Sequence, residues 1–194
     1  MLHTQRSYGG SCVAPHHLAA SAGRDVLKQG GNAVEAMVAA AAAIAVVYPH
    51  MNALGGDGFW LIHEPGKAPI AIDACGPAAG LADGDFYAGE TQIPERGPKA
   101  ALTMAGTIGG WHEALNAASA WDKQLPLTTL LADAIHHAET GIAVSQSQEA
   151  LTAKHIERLT QSPGFSDALL LNGQVPREGE RLRQPRLAAT LKRL

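Results

Sequence analysis

The sequence predicts an α+β fold that is rich in helices and contains one β-hairpin. Two helical segments come first, at residues 15–31 and 33–47, and the second consists almost entirely of Ala, Val, Ile and Met. Two apolar stretches, FWLIHE and APIAID, follow and are separated by a Pro-Gly turn, as is typical of paired antiparallel strands. From residue 107 onward, apolar residues recur at helical spacing.

Local signals mark the ends of the first two helices. Pro15 suits the first turn of a helix, and Gly30 with Gly31 provides a stop. Asn32 is of a type that caps helices, so the second helix is predicted at residues 33–47. Small side chains on all its sides allow close packing, which places this helix at the centre of the fold. Its apolar run is far shorter than the roughly 20 residues of a membrane span, so we expect a buried helix.

The glycine-rich segment YPHMNALGGDG, residues 48–58, is predicted to form a loop before the hairpin, because proline and glycine favour turns. Residues 76–98 are rich in Gly, Pro and acidic side chains and are predicted to be an extended surface connection, followed by a short strand at residues 100–105. The remaining predictions are helices at residues 110–121, 127–140, 145–160 and 184–194, with a loop at residues 163–179.

Composition and charge favour one globular unit. The 194 residues are 46% hydrophobic and 17% charged, which is enough for one sizeable core. The formal net charge is -3 and the basic residues are scattered, so we expect no nucleic-acid partner. Cys12 and Cys75 lack metal-ligand spacing, and neither a metal nor a cofactor is expected. Since no apolar export segment opens the sequence, we expect a cytoplasmic protein, or a periplasmic one if an export signal has been lost.

A set of collinear motifs resembles the opening of the large subunit in the γ-glutamyltranspeptidase family. The motifs are GGNAVEA, an Ala-rich helix that ends at a proline, the glycine-dense turn LGGDG, an apolar strand and a short strand that carries Ile-Asp. They lie within residues 23–73. The later segment MAGTIGGWHEAL is similar to the family's GTPG-type turn into a helix, with Ile108 where the family often has proline. The resemblance covers most of the chain.

The resemblance implies an N-terminal nucleophile hydrolase. Its fold is a four-layer αββα sandwich, and residues 1–194 are expected to be the N-terminal portion of one such domain. The family's proenzyme cuts itself, so that a threonine becomes the first residue of a small subunit and attacks an amide or γ-glutamyl carbonyl. That threonine is expected downstream, and we expect no catalytic residue in this chain. The implied partners are the small-molecule substrate and the Thr-initiated small subunit, in a heterodimer or a dimer of heterodimers.

Cys75 stands where the resemblance implies a substrate-binding residue. In γ-glutamyltranspeptidases the position two residues after the Asp, here Asp73, carries an arginine that holds the α-carboxylate of the substrate. A thiol cannot replace the two parallel charged hydrogen bonds of an arginine. We therefore expect weakened γ-glutamyl binding and a similarity to the oxamate amidohydrolase or acylase branches. Arg96 is the nearest arginine in sequence after the hairpin.

Other interpretations of these residues stay open on sequence alone. Cys75 is a candidate nucleophile of a thiol enzyme, although no histidine has a recognisable spacing to it. Asp73 is a candidate for orienting a substrate group or, alternatively, for a hydrogen bond to the backbone at the end of a strand. The chain as a whole is also a candidate for a non-catalytic scaffold or partner chain that retains the fold.

Overall fold

The architecture confirms the predicted combination of helices with one longer β-hairpin. The computed structural model describes residue 4 and residues 6–94, 97, 99–100, 103–121 and 124–194. Its helices are α1 (His17–Lys28), α2 (Ala33–Val47), α3 (Thr107–Ala117), α4 (Leu127–Leu130), α5 (Ala132–Thr140), α6 (Gln146–Leu159), α7 (Phe165–Leu169) and α8 (Pro185–Leu191). Its strands are β1 (Gly58–Ile62), β2 (Ile70–Ala74), β3 (Ile142–Ala143) and β4 (Arg181–Leu182), and the pairs are β1 with β2 and β3 with β4.

The chain divides into two compact units. The helical unit comprises Met1–Ala53, Trp111–Ile142 and Arg183–Leu194, and the hairpin unit comprises Leu54–Gly110 and Ala143–Leu182. The expectation that residues 1–194 form the N-terminal portion of a single domain stays a prediction.

Helix α2 forms the core of the helical unit. Its small side chains are largely buried, and α1, α4 and α5 pack against it. Helix α8 packs on α5, and the Gln184 side chain before it donates a hydrogen bond to the carbonyl of Val46 at 2.8 Å. The predicted central position of α2 is thereby confirmed, since a helix of Ala and Val allows neighbours to approach closely from several sides.

Glu35 is a buried carboxylate that joins two segments of the helical unit. Asn32 caps α2 by accepting the N–H groups of Val34 and Glu35, as predicted. One oxygen of Glu35 accepts the N–H of Asn32 at 2.8 Å, and the other accepts the N–H of Leu125 at 2.6 Å. The residue is only 1% exposed. The capping box therefore also attaches the segment before α4 to the start of α2.

Some predicted boundaries were wrong. The helix predicted at residues 127–140 is divided at Leu131, whose ψ of -5° departs from the helical value although its N–H still donates to the carbonyl of Leu127. The loop predicted at residues 163–179 contains α7. In place of the strand predicted at residues 100–105, the described residues show an isolated bridge between Ala78 and Thr103. Strands β3 and β4 are too short to show an alternating pattern in the sequence.

The hairpin has one partly buried and one exposed face. Its antiparallel register pairs Gly58 with Ala74, Phe59 with Asp73, Trp60 with Ile72, Leu61 with Ala71 and Ile62 with Ile70. Ile62 is 7% exposed, whereas Phe59 and Leu61 on the opposite face are 71% and 78% exposed. This alternation is the period of two that a strand imposes on its side chains.

Among the helices of the described residues, none has the length and the apolar character that a membrane span requires.

Four histidines at the start of α1 and in α5 influence one another in the helical unit. The ring of His16 stacks on that of His17 with their centroids 4.5 Å apart. Burial lowers the pKa of His16, and the charges of His17 and His137 lower it further. Burial also lowers the pKa of His137; Asp133 raises it, while His136 and His17 lower it. The neutral forms of the His16 and His137 rings are therefore favoured in the folded state.

We expect the folded state to lose stability as the pH falls below 6.5, the ordinary histidine value. The folded-state pKa values of His16 and His137 lie below 6.5, so around this pH the unfolded chain binds more protons than the folded chain. The contribution of the two neutral rings to stability is therefore complete only above pH 6.5. The variant His16→Asn should reduce this dependence and keep the cap of α1, because Asn is a preferred N-cap. Thermal unfolding at about pH 7.5 and about pH 5.5 measures the difference. An equal fall in Tm for both proteins would contradict the prediction.

Candidate functional site

The glycine turn and the end of β2 lie side by side at the open end of the hairpin. Gly58 pairs with Ala74, so Asp57 and Cys75 are the next residues outward on the two strands. Both side chains are exposed. Besides desolvation, the charge of the Asp57 carboxylate raises the pKa of the Cys75 thiol, as expected for residues that lie next to each other across the hairpin. The hairpin register thus joins the turn motif to the residue that the resemblance singled out.

Asp73 shapes the turn that follows β2. Its Oδ1 accepts the N–H of Cys75 at 2.9 Å, which is the local side chain to backbone bond typical of Asp at the end of a strand. The bond holds the Cys75 backbone relative to the strand. This geometry matches the backbone role considered from the sequence, and substrate binding by Asp73 and Cys75 stays a prediction.

The surroundings of Cys75 keep its thiol protonated at neutral pH. Partial desolvation raises its pKa above the ordinary value, and the carboxylates of Asp57 and Asp73 raise it further. A nucleophilic cysteine needs the opposite, a lowered pKa that yields thiolate at neutral pH. The electrostatics of this site therefore oppose the interpretation of the chain as a thiol enzyme.

The start of α3 is held against the glycine turn. The carbonyl oxygen of Gly56 accepts the N–H of Gly106 at 3.1 Å and the N–H of Thr107 at 3.0 Å. It also accepts the hydroxyl of Thr107 at 2.7 Å. These three bonds join two motifs that are distant in sequence, the LGGDG turn and the MAGTIGG segment.

Two glycines allow the backbone segments around Cys75 to touch. A Cβ atom on Gly76 would lie 1.8 Å from the carbonyl oxygen of Met104. A Cβ atom on Gly106 would lie 2.0 Å from the carbonyl oxygen of Ala74. Both distances are far inside van der Waals contact, so only a residue without a side chain fits at either position. The position of Cys75 therefore depends on this close contact between the end of β2 and the segment before α3.

Not every residue considered from the sequence belongs to this site. Arg96 lies outside the described residues. Asp57 was not among the predicted site residues, and its position directly before a strand whose partner ends next to Cys75 is the signal that identifies it. Within the described part of the chain, no group of three or more His, Cys, Asp or Glu side chains is placed to hold a metal ion.

A family model and two curated relatives match this chain. The family model described as gamma-glutamyltranspeptidase matches residues 19–194. The chain is 58% identical over 186 residues to the oxamate amidohydrolase proenzyme of Klebsiella pneumoniae, covering 95% of this chain and 35% of that protein. It is 39% identical over 180 residues to the glutathione hydrolase-like YwrD proenzyme of Bacillus subtilis, covering 92% of this chain and 34% of that protein.

A solved structure supports the same conclusion. The crystal structure of a gamma-glutamyltranspeptidase from Helicobacter pylori matches with a TM-score of 0.88 and 29% identity, covering 98% of this chain and 55% of that chain. This match confirms the expected fold class. The chain spans about a third of the length of the curated relatives described above, namely 35% and 34%.

Proposed function

We propose that this chain, which belongs to the gamma-glutamyltranspeptidase family, is the large-subunit part of a self-cleaving enzyme that hydrolyses or transfers the acyl group of an amide. The names of two relatives support self-cleavage, since both are proenzymes. The nucleophile in this proposal is a threonine outside the chain, which becomes the first residue of a small subunit. The two subunits form a heterodimer, and we keep a cytoplasmic location as part of the proposal.

The proposed reaction has two steps. The threonine hydroxyl loses its proton to the freed amine of the same residue and attacks the amide carbonyl, which expels ammonia or an amine and leaves an acyl-enzyme. Water or an acceptor amine then attacks the ester and releases the threonine. The role of this chain is to form the wall that receives the acyl group, at the end of the hairpin that carries Cys75.

The observation that carries the substrate proposal is the neutral Cys75 thiol beside two carboxylates. Asp57 lies next to it across the hairpin and raises the pKa of its thiol, and its backbone N–H donates to Asp73. An arginine at this position would hold a carboxylate, and removing one partner of such a buried charge pair costs about 2–5 kcal/mol. We therefore propose an amide whose acyl group does not place an α-carboxylate here.

The name of one relative supports this class of substrate. Oxamate carries its carboxylate directly on the amide carbonyl, whereas a γ-glutamyl group carries its α-carboxylate three carbons away. A short acyl group of the oxamate kind would leave the Cys75 wall free of an anion. Hydrolysis of γ-glutamyl amides such as glutathione is the second candidate, and the name of the Bacillus subtilis relative favours it.

Self-cleavage is the first expected result. Mass spectrometry of the protein expressed from the complete reading frame that contains this chain should show two fragments, of which the second begins with threonine. Replacing that threonine by alanine should leave one intact mass, because the nucleophile of the cleavage is lost. A single intact mass for the unmodified protein would instead support the scaffold interpretation. Ammonia release from oxamate, compared with turnover of a γ-glutamyl anilide, then separates the two substrate candidates.

A further inference from the structure

We infer that Asp57 is a specificity-determining residue: its carboxylate, placed against the Cys75 side chain, rejects acyl donors that carry an anionic group at this end of the site. The favoured donors are amides whose acyl group is uncharged or positively charged at that point. The inference rests on the proposed function, in which Cys75 lines the site for the acyl group.

The position of Asp57 follows from the hairpin. It directly precedes β1, and the pairing of Gly58 with Ala74 brings it opposite Cys75. The preceding residue, Gly56, is held by three hydrogen bonds from Gly106 and Thr107. The backbone before Asp57 is thus anchored while its side chain is exposed and accessible to a ligand.

The groups around Cys75 carry negative charge, and no described ion pair neutralises it. Asp57 lies just beyond the pair Gly58–Ala74 on the opposite strand and Asp73 accepts the backbone N–H of Cys75, so two carboxylates lie near Cys75. Among the ion pairs between residues that the structure describes, neither of these carboxylates takes part. A substrate carboxylate near Cys75 therefore meets like charges, whereas an amide or ammonium group finds acceptors.

The same geometry predicts how an arginine at position 75 would behave. In Cys75→Arg the guanidinium would find the carboxylate of Asp57 within the site and pair with it, because a carboxylate is the preferred partner of its planar fork. Its charge would then be satisfied before a substrate arrives. Only removal of the Asp57 charge would leave the arginine available for a substrate carboxylate.

The test uses the self-processed protein from the complete reading frame and two donors of nearly equal shape. These are γ-glutamyl-4-nitroanilide and its α-carboxamide analogue, which differ only in the charge of the α-substituent. Asp57→Asn should raise the ratio of kcat/KM for carboxylate over carboxamide by about fivefold or more, because one like charge is removed at close range. Cys75→Arg should change the ratio little, and Cys75→Arg with Asp57→Asn should raise it on the order of a hundredfold.

Asp83→Asn is the matched control. Asp83 is also exposed and also lies in the hairpin unit, and its Oδ1 accepts the N–H groups of Asp85 and Phe86, which an Asn oxygen preserves. Asp83→Asn removes the same charge, but at a position away from Cys75, so the donor ratio should stay at the parent value. Complete self-cleavage, followed by mass spectrometry, shows that each variant has folded.

A second measurement is independent of turnover. The pH dependence of Cys75 alkylation by iodoacetamide should shift to lower pH in Asp57→Asn, because Asp57 raises the pKa of this thiol. The inference would be overturned if Asp57→Asn and Asp83→Asn gave equal donor ratios, or if Cys75→Arg alone gave a high ratio. In either case, turnover of an amide by the parent protein would still support the proposed function. Failure of the parent protein to turn over either donor or oxamate would overturn the proposed function and the inference with it.

Discussion

Gly106→Ala is expected to destabilise the protein by about 3 kcal/mol, the upper part of the usual range for overpacking. The new Cβ would lie 2.0 Å from the carbonyl oxygen of Ala74. The carbonyl is part of the backbone, and the methyl group is attached directly to the backbone. The two segments would have to separate, which weakens the hydrogen bond from the Gly106 N–H to Gly56. Urea unfolding of the protein from the complete reading frame measures the loss.

Gly109→Ala, three residues further along and inside α3, provides the control. A Cβ on Gly109 meets nothing within 4 Å, and the residue lies inside α3. Alanine favours the helix over glycine by about 0.5–1 kcal/mol, so this variant should be as stable as the parent or more stable. If Gly106→Ala unfolded at the same urea concentration as Gly109→Ala, the close contact between the end of β2 and the segment before α3 would not be required.

Glu35→Ala is expected to have an effect of similar size, about 3 kcal/mol or more. The variant removes the acceptor of two N–H groups, those of Asn32 and Leu125, at a position that is 1% exposed. Both donors would remain desolvated without a partner, and the lost side-chain volume adds a cavity cost. Glu35→Gln should lose less, because its amide oxygen still accepts from one of the two donors.

Glu113→Ala tests whether the effect of Glu35→Ala comes from burial. Glu113 lies in α3 within the helical unit and is exposed. Its removal should change the free energy of unfolding by no more than about 0.5 kcal/mol, as is usual for surface positions. Equal losses for the two alanine variants would show that the carboxylate of Glu35 does not attach the segment before α4 to α2.

Local sequence signals predicted the elements that depend on short-range physics. Asn32 predicted the start of α2, because an N-cap side chain bonds the N–H groups two and three residues further on. The Pro-Gly turn between two apolar stretches predicted the hairpin, whose strands pair in order. The helix predicted at residues 127–140 is divided at Leu131, and the two-residue strands β3 and β4, for which local signals are weak, were not predicted.

The sequence by itself determined the family, because its motifs occur in the family's order and the family model matches residues 19–194. The resemblance also predicts that Cys75 stands at the position of the family's arginine. Only the tertiary structure decided what surrounds that position: Asp57 lies next to it across the hairpin, and Gly106 leaves room for the carbonyl of Ala74. These contacts join residues far apart in the chain, and no local periodicity or propensity encodes them, because they form only when the hairpin register and the start of α3 are in place.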